Sequence, residues 1–428
     1  MFRHPFPTAI GGILGTGIRI CVLIGIAWIL YTALNSFDDK PPAHTVLREN
    51  RIRPSDEDNA YLGTLTMTQA LKEWPNETEH PEKLTPERAQ ELIEANAEAL
   101  ALFHETAARP VWFVAPRSDI TQNTVPIKPL ARIIRLQKLK IEASIANGEI
   151  QAAVDGIKDL ARFSTVMLSG TDGMIDFFTA LSFCGAAVTL AAQAAGSGKA
   201  SDDELKQLSE TVKAVSPILT PAFERVCHRE YSGNFSSMLA MVDQDIRNTN
   251  LRRWITRRYL LKPNRTKSLY LEHMREAIAL SKNDFNREAW KTIEERQAKT
   301  IRLTRNPFIP NAMGRFSLAT LTPAYDRIVE KITLVKTHGA FVEITVAAER
   351  MRRRTGNLPS ELAALVPDYL PAVPIDPFND GKPLKYDAEH RTVYTVGAER
   401  TFNPSAKGYL RDRNAAHYAI TLGEPGVR

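Results

Sequence analysis

Residues 20–34 read ICVLIGIAWILYTAL, fifteen consecutive positions without a charge. At about 1.5 Å of rise per residue, a helix of that length covers about 22 Å, short of the roughly 30 Å hydrocarbon core of a bilayer. Extending the run back through Gly17, Ile18 and Arg19 gives about 27 Å, with a long Arg19 side chain able to reach the interface at one end. Trp28 and Tyr31 lie toward the other end, where amphipathic rings favour the headgroup level. The segment predicts a transmembrane anchor over 17–36, after a short tail (1–16) and before a linker (37–60). A cleaved signal peptide fits less well, because neither Tyr31-Thr32-Ala33 nor Ala33-Leu34-Asn35 offers a small-x-small site. Arg3, His4 and Arg19 precede the run and Lys40, Arg48, Arg51 and Arg53 follow it, so the basic count does not place the amino terminus inside.

Outward from that run the composition is that of an ordinary globular chain. Of 428 residues, 43% are hydrophobic and 24% charged, which excludes a disordered or collagen-like protein. The length is consistent with roughly three structural units. A net charge of +6 is mild for this size and does not ask for nucleic acid, whose binding domains are usually far more basic. Three cysteines (Cys21, Cys184, Cys227) exclude a disulfide framework or a four-cysteine zinc site. Prolines bunch at 41–42, 75–86 and 359–383 and punctuate the chain.

From 61 to 321 the apolar periodicity is helical. Thr85 followed by Pro86 predicts a capped helix start, with Leu92, Ala95, Ala99 and Phe103 on one continuing face. Leu130, Ile134, Ile141 and Ile145 form the next stripe. Asn147-Gly148 supplies a left-handed stop, and Ile150, Val154, Ile157 and Leu160 begin the return, so 130–168 reads as a helical hairpin. Residues 174–195 form an apolar, alanine-rich helix that is either a second span or, as its Thr179, Ser182 and Gln193 favour, a buried helix of the bundle. Ser201 through Glu204 cap the helix that follows.

The search for chemistry returns little. No nucleophile elbow, His-Glu-x-x-His helix, EF-hand loop or Walker pattern occurs. Cys227-His228, with Glu230 beyond, is the most suggestive local group, but partners at ligand spacing are lacking. Asp172 and Asp176 stand one helical turn apart, which a helix macrodipole also explains. Residues 247–267 hold six arginines and two lysines interleaved with aromatics. There Arg252, Arg253, Trp254, Arg257, Arg258 and Tyr259 read as a membrane or partner surface, the alternative being a solvated helix whose arginines pair with nearby acids.

Beyond 321, Ile328, Ile332, Val335, Gly339, Val342 and Val346 recur at four- and three-residue steps as one seam of a long helix. Arg350 and Arg352 to Arg354 complement its carboxyl end, and Gly356 stops it. Pro374-Ile375-Asp376-Pro377-Phe378 is a rigid turn in which Asp376 can accept backbone N–H bonds. Lys385-Tyr386, residues 392–396 and residues 417–420 read as short strands. The seam is expected to bury its face against them.

Gly356-x-Leu358-Pro359, Leu362-x-x-Leu365-x-Pro367-x-Tyr369-Leu370-Pro371, Pro374-x-Asp376-Pro377-Phe378, Pro383-x-x-Tyr386 and Tyr394-x-Val396-Gly397 resemble the carboxyl-terminal domain of type II secretion pseudopilins over residues 322–428. The resemblance implies a long helix on a small antiparallel sheet, assembled outside the inner membrane. The chain departs from that family where residues 37–321 separate anchor from module, where Asn379-Asp380-Gly381 lengthens a turn, and where Ala398-Glu399-Arg400-Thr401 replaces the acidic calcium loop. The fold class expected is therefore mainly α: an amino-terminal transmembrane helix, a helical-hairpin bundle and a small carboxyl-terminal α/β module. Through the resemblance, the chain is expected to be a single-pass protein of the bacterial inner membrane with its bulk outside the cytoplasm. A scaffolding or partner-binding role follows, with a lipid bilayer and a protein as partners and no cofactor, metal or nucleic acid. An extracytoplasmic hydrolase is the alternative.

Overall fold

The computed structural model describes residues 9–35, 37–42, 52–72, 84–114, 126–232, 258–282, 309–321, 323–397 and 419–423, with single positions at 244, 292, 295, 296, 298 and 302. The protein is mainly helical with one small antiparallel sheet. The chain divides into two compact units. One comprises Met1–Thr45, Tyr231–Met274 and Thr292–Pro323; the other comprises Val46–Glu230, Arg275–Lys291 and Ala324–Arg428. The helical region read as 61–321 is thus shared between them, and the long helix belongs with the earlier helices rather than with the sheet alone.

The first unit contains helix α1 (Ala9–Leu34), whose backbone runs for 26 residues, about 39 Å at about 1.5 Å per residue. From Val22 onward most of its apolar side chains are open: Val22, Leu23, Ile24, Ile26, Ile29, Leu30 and Leu34 are all exposed, Leu34 at 73%. Such a helix has no polar face to turn toward water.

The second unit begins with α2 (Ala60–Gln69), α3 (Pro86–Ala95), α4 (Ala97–Ala107), α5 (Ile127–Asn147), α6 (Ile150–Gly170), α7 (Met174–Gly196) and α8 (Asp202–Glu230). Several starts and stops follow local chemistry. Thr85 Oγ1 accepts the Arg88 N–H at 3.3 Å. Gly148 takes φ +81° between α5 and α6, a backbone region that glycine enters without a Cβ clash. Ser201 and Glu204 satisfy each other's backbone N–H groups, at 3.2 and 2.6 Å, in a reciprocal capping box.

The expected single helix through Leu92 and Phe103 is instead two. Asn96 leaves helical geometry (φ −111°, ψ 20°). Its Nδ2 donates to Leu92 O at 2.9 Å, and its Oδ1 accepts the Lys72 N–H at 3.0 Å. Asparagine competes with the ladder for backbone partners, and here the break turns Ala95 outward while Ala99 and Phe103 stay buried.

The core of this unit is aromatic. Phe163 lies 4.7 Å from Phe183 and 5.3 Å from Phe103, and its ring meets Trp112 edge-on at 5.8 Å; Tyr61 meets the other side of Trp112 at 5.6 Å. Each such ring removes a large apolar area from water. Helix α7 is long and apolar enough to cross a membrane, yet Phe177, Leu181, Phe183, Val188 and Leu190 are buried as it packs on α5, α6 and α8. Cys184 on α7 and Cys227 on α8 are both buried and free, so they do not pair.

Helix α9 (Pro263–Lys282) passes from the first unit into the second, and α10 (Ala312–Leu321) belongs to the first. Helix α11 (Pro323–Thr355) carries the seam. Contrary to expectation, the sheet is not its only partner. Thr189 Oγ1 meets His338 Nδ1 at 3.4 Å, Lys331 lies over the Phe178 ring, and Glu343 accepts from Ser209 Oγ (2.7 Å) and pairs with Lys213 (3.0 Å). Lys336 donates to Thr220 Oγ1 and to Ser281 O, drawing α8 and the end of α9 together. These contacts line α11 against α7 and α8. Only its carboxyl half, through Phe341, Ile344, Ala347 and Ala348, packs on Leu362, Leu365, Leu384, Val393 and Leu422 of the terminal module. The physical reason is length: 33 residues present more apolar face than three-residue strands can cover.

The sheet has order β1 (Lys385–Asp387), β2 (Thr392–Tyr394), β3 (Ala419–Thr421), all antiparallel, with Tyr386 opposite Val393 and Val393 opposite Ile420. The segment expected to replace a calcium loop, with Glu399 and Arg400, lies outside the described residues.

Two helical glycines give opposite predictions. A Cβ on Gly170 would stand 2.0 Å from the backbone oxygen of Trp112, whereas on Gly185 it meets only Val335 Cγ2, at 3.9 Å. Gly170→Ala is expected to destabilise the chain by about 1–3 kcal/mol through overpacking. Gly185→Ala is expected to stabilise it by about 0.5–1 kcal/mol through helix propensity. Chemical unfolding of the full chain in neutral detergent measures both.

Candidate functional site

Among the expected turn residues, Gly356 takes φ +80° and its N–H donates to Arg352 O at 2.7 Å. Pro359 O accepts from Tyr386 Oη at 3.1 Å. Asp376 is fully buried beside Pro377, and its carboxylate accepts from the Phe378 N–H, the Val396 N–H (both 3.0 Å) and Thr395 Oγ1 (2.6 Å). Three donors compensate the burial of that charge, which makes it a strut of the turn. At the end of α11, the buried Glu349 accepts from Arg352 and Arg353, Arg353 also reaches Asp202, and Arg354 pairs with Asp368.

The group around Cys227 is likewise occupied by packing. Burial, with the charges of Glu230 and Glu224, pushes the Cys227 thiol well above its ordinary range, and burial pushes Cys184 up to about 12. Glu230 Oε1 accepts the Met174 N–H at 2.9 Å, capping α7, and Arg229 pairs with Asp172. The structure thus brings Asp172 and the 227–230 segment together as a clasp between α8 and the start of α7. Among the described residues, no three His, Cys, Asp or Glu side chains converge as metal ligands would. In a Cys21→Ser background, Cys184 and Cys227 are expected to resist iodoacetamide at pH 8 in the folded chain and both to react in denaturant, because the thiolate is the nucleophile. Mass spectrometry counts the adducts.

Of the basic segment, Arg252, Arg253, Trp254 and Arg257 lie outside the described residues. Tyr259 does not face solvent: it is buried, with Trp28 and Tyr31 of α1 edge-on to its ring at 5.7 and 6.0 Å. Arg258 is mostly covered too, 4.0 Å from Asp38.

Around these two residues the first unit builds a cluster that the sequence did not single out. After α1, residues 37–42 have no regular secondary structure. Helix α9 opens at Pro263, a good first residue, but its N-cap is Lys262, whose side chain cannot accept a hydrogen bond. Asp38 supplies the missing acceptor from a distant part of the chain: Asn264 N–H donates to Oδ2 at 2.7 Å and Arg265 N–H to Oδ1 at 3.1 Å. Asn264 Nδ2 also donates to Asp39 O at 2.9 Å.

On the other side stands Asn311, fully buried and left-handed at φ +65°. Its N–H donates to Tyr259 O at 2.8 Å, and its Oδ1 accepts from the Lys262 N–H (2.8 Å) and Thr266 Oγ1 (3.0 Å). Its carbonyl accepts the Arg315 N–H at 3.0 Å, opening α10. Gly314 permits the closure, since a Cβ there would lie 2.0 Å from Thr266 Oγ1.

Arg258, Lys262, Arg265 and Arg315 therefore gather where α9 and α10 begin. Burial, then the charge of Arg265, pushes Lys262 and Arg315 below their ordinary values. Lys262 is only 5% exposed. Among the described residues, Lys262, Arg265 and Arg315 form no ion pair, and Arg315 Nε and Asn311 Nδ2 have no hydrogen-bond partner. The one sequence signal for this arrangement was a helix start at Pro263 that lacks a cap of its own.

Comparison of the chain with protein-family models, curated proteins and solved structures finds no match. Asp38→Ala is expected to lower stability by about 0.5–2 kcal/mol, the usual range for a lost N-cap. Asp38→Asn, which still accepts hydrogen bonds, should cost less. Thermal unfolding in detergent reads the difference, and equal losses for both would show that the cap does not act through acceptance.

Proposed function

We propose that this chain is a single-pass protein of the bacterial inner membrane, anchored by α1 with its bulk outside the cytoplasm. There it serves as a scaffold or partner-binding protein near a secretion or envelope-assembly apparatus. The observation that carries the reading is α1. Positions 22, 23 and 24 point to three sides of the helix, about 100° apart, and all three are exposed apolar side chains. Helix α7 is long and apolar enough to cross a membrane but has its apolar side chains buried, whereas the shorter apolar run of α1, Val22–Leu34, has them exposed. That contrast supports α1 as the lipid-facing helix. The placement outside the cytoplasm and the assembly role rest on the pseudopilin-like residues 356–397, together with the packing of α11 on a three-stranded antiparallel sheet. The basic segment supports a bilayer or acidic protein as partner, since residues 247–267 contain no Asp or Glu. The hydrolase alternative has no comparable support, because Cys227, Glu230 and Asp172 are engaged in packing and capping.

In bacterial cells expressing the full chain, the protein should sediment with membranes and stay there in alkaline carbonate, and deletion of 9–34 should release it. Protease added to spheroplasts should remove the bulk of the chain. Survival of the whole chain until lysis would overturn the orientation, and carbonate extraction would overturn the anchor.

A further inference from the structure

We propose that Lys262, Arg265 and Arg315 form a binding site for a phosphate-bearing anion where α9 and α10 begin. Three observations meet there. First, the backbones of three basic residues are brought to one place, Asn311 Oδ1 accepting from the Lys262 N–H, Asn311 O from the Arg315 N–H and Asp38 from the Arg265 N–H. The charge of Arg265 acts on both Lys262 and Arg315. Like charges brought together and partly dehydrated raise the energy of the empty site. Second, nearby carboxylates relieve them only in part: the charges of Asp39 and Asp38 act on Lys262, yet among the described residues none forms an ion pair with Lys262, Arg265 or Arg315. Both oxygens of Asp38 are committed to the Asn264 and Arg265 N–H groups, and exposed Asp39 forms no ion pair with them. Third, buried donors of these residues are also unsatisfied: the amide of Asn311, with no exposed surface, has an unpartnered Nδ2, and the guanidinium of Arg315 an unpartnered Nε.

The donor set fits phosphate. Two guanidinium forks and one ammonium match an anion with several oxygens and up to two charges, whereas one carboxylate would leave cations uncompensated. Two sources present that chemistry: the headgroup of an anionic phospholipid, and free phosphate. The lipid source rests on the anchored reading above, in which the Trp28–Tyr31 end of α1, touching Tyr259, stands at the bilayer surface. The free-phosphate source does not need it.

The test uses the full chain in neutral detergent, titrated with dioctanoylphosphatidylglycerol, with zwitterionic dioctanoylphosphatidylcholine, or with inorganic phosphate, and followed by thermal unfolding. An anion that binds only the folded chain raises the midpoint with the logarithm of its concentration. Lys262→Gln and Arg315→Gln should each weaken that response roughly tenfold or more, the loss of one charged hydrogen bond. Without anion the same variants should unfold at the wild-type temperature or above it, because each removes a repelled cation; a merely structural cation would lower it. A response to phosphatidylglycerol alone assigns the headgroup, and a response to inorganic phosphate alone assigns the free ion, leaving the site standing even if the anchor fails. No saturable response to either anion, or a wild-type response in both variants, would overturn the site.

Discussion

The first unit depends on one carboxylate doing a job that the local sequence cannot do. Helix α9 begins with orphan N–H groups and a lysine where an acceptor is wanted. Asp38 closes that gap, which ties the segment after α1 to the start of α9, where Trp28 and Tyr31 also meet Tyr259. An ionised acceptor at a helix N-terminus gains from both the hydrogen bonds and the macrodipole.

The second unit is organised around a helix with two kinds of neighbour. Helix α11 meets α7 and α8 through mixed contacts, including Ser209 and Lys213 on Glu343, and meets the terminal module chiefly through an apolar cluster, with Arg354 on Asp368 at its end. Apolar packing tolerates some sliding, whereas directional hydrogen bonds fix rotation and register. The polar half therefore sets the azimuth of the helix, and the apolar half carries the terminal module at that setting. Glu349 ends the helix by drawing its arginines inward.

Features written in neighbouring residues were legible. Thr85-Pro86, Asn147-Gly148, Ser201 with Glu204, Gly356 and the three strands all stand where local propensity puts them. Features that needed a distant partner were not. Asn96 breaks a helix partly because Lys72, 24 positions earlier, needs its oxygen. The seam of α11 declared an apolar face, but periodicity does not say which element covers it. The candidate site was half legible: the basic run was evident, but its grouping depends on Asp38 and Asn311, which lie 226 residues before Asn264 and 49 after Lys262. Tyr259 looked like surface because its cover, α1, is remote in sequence.

Helix α7 carries a consequence for how the protein is made. On the proposed topology it must pass through the export channel before α5, α6 and α8 can surround it. At that moment it presents an apolar run as long as a membrane span. Its alanines and its Thr179, Ser182 and Gln193 keep it less hydrophobic than leucine-rich spans, and insertion energies are set residue by residue. The moderate apolarity that lets α7 serve as a core helix is then also what lets it be released rather than halted in the bilayer. Substitutions toward leucine along its buried alanines would overpack the core and, on the proposed topology, would also favour its retention in the bilayer.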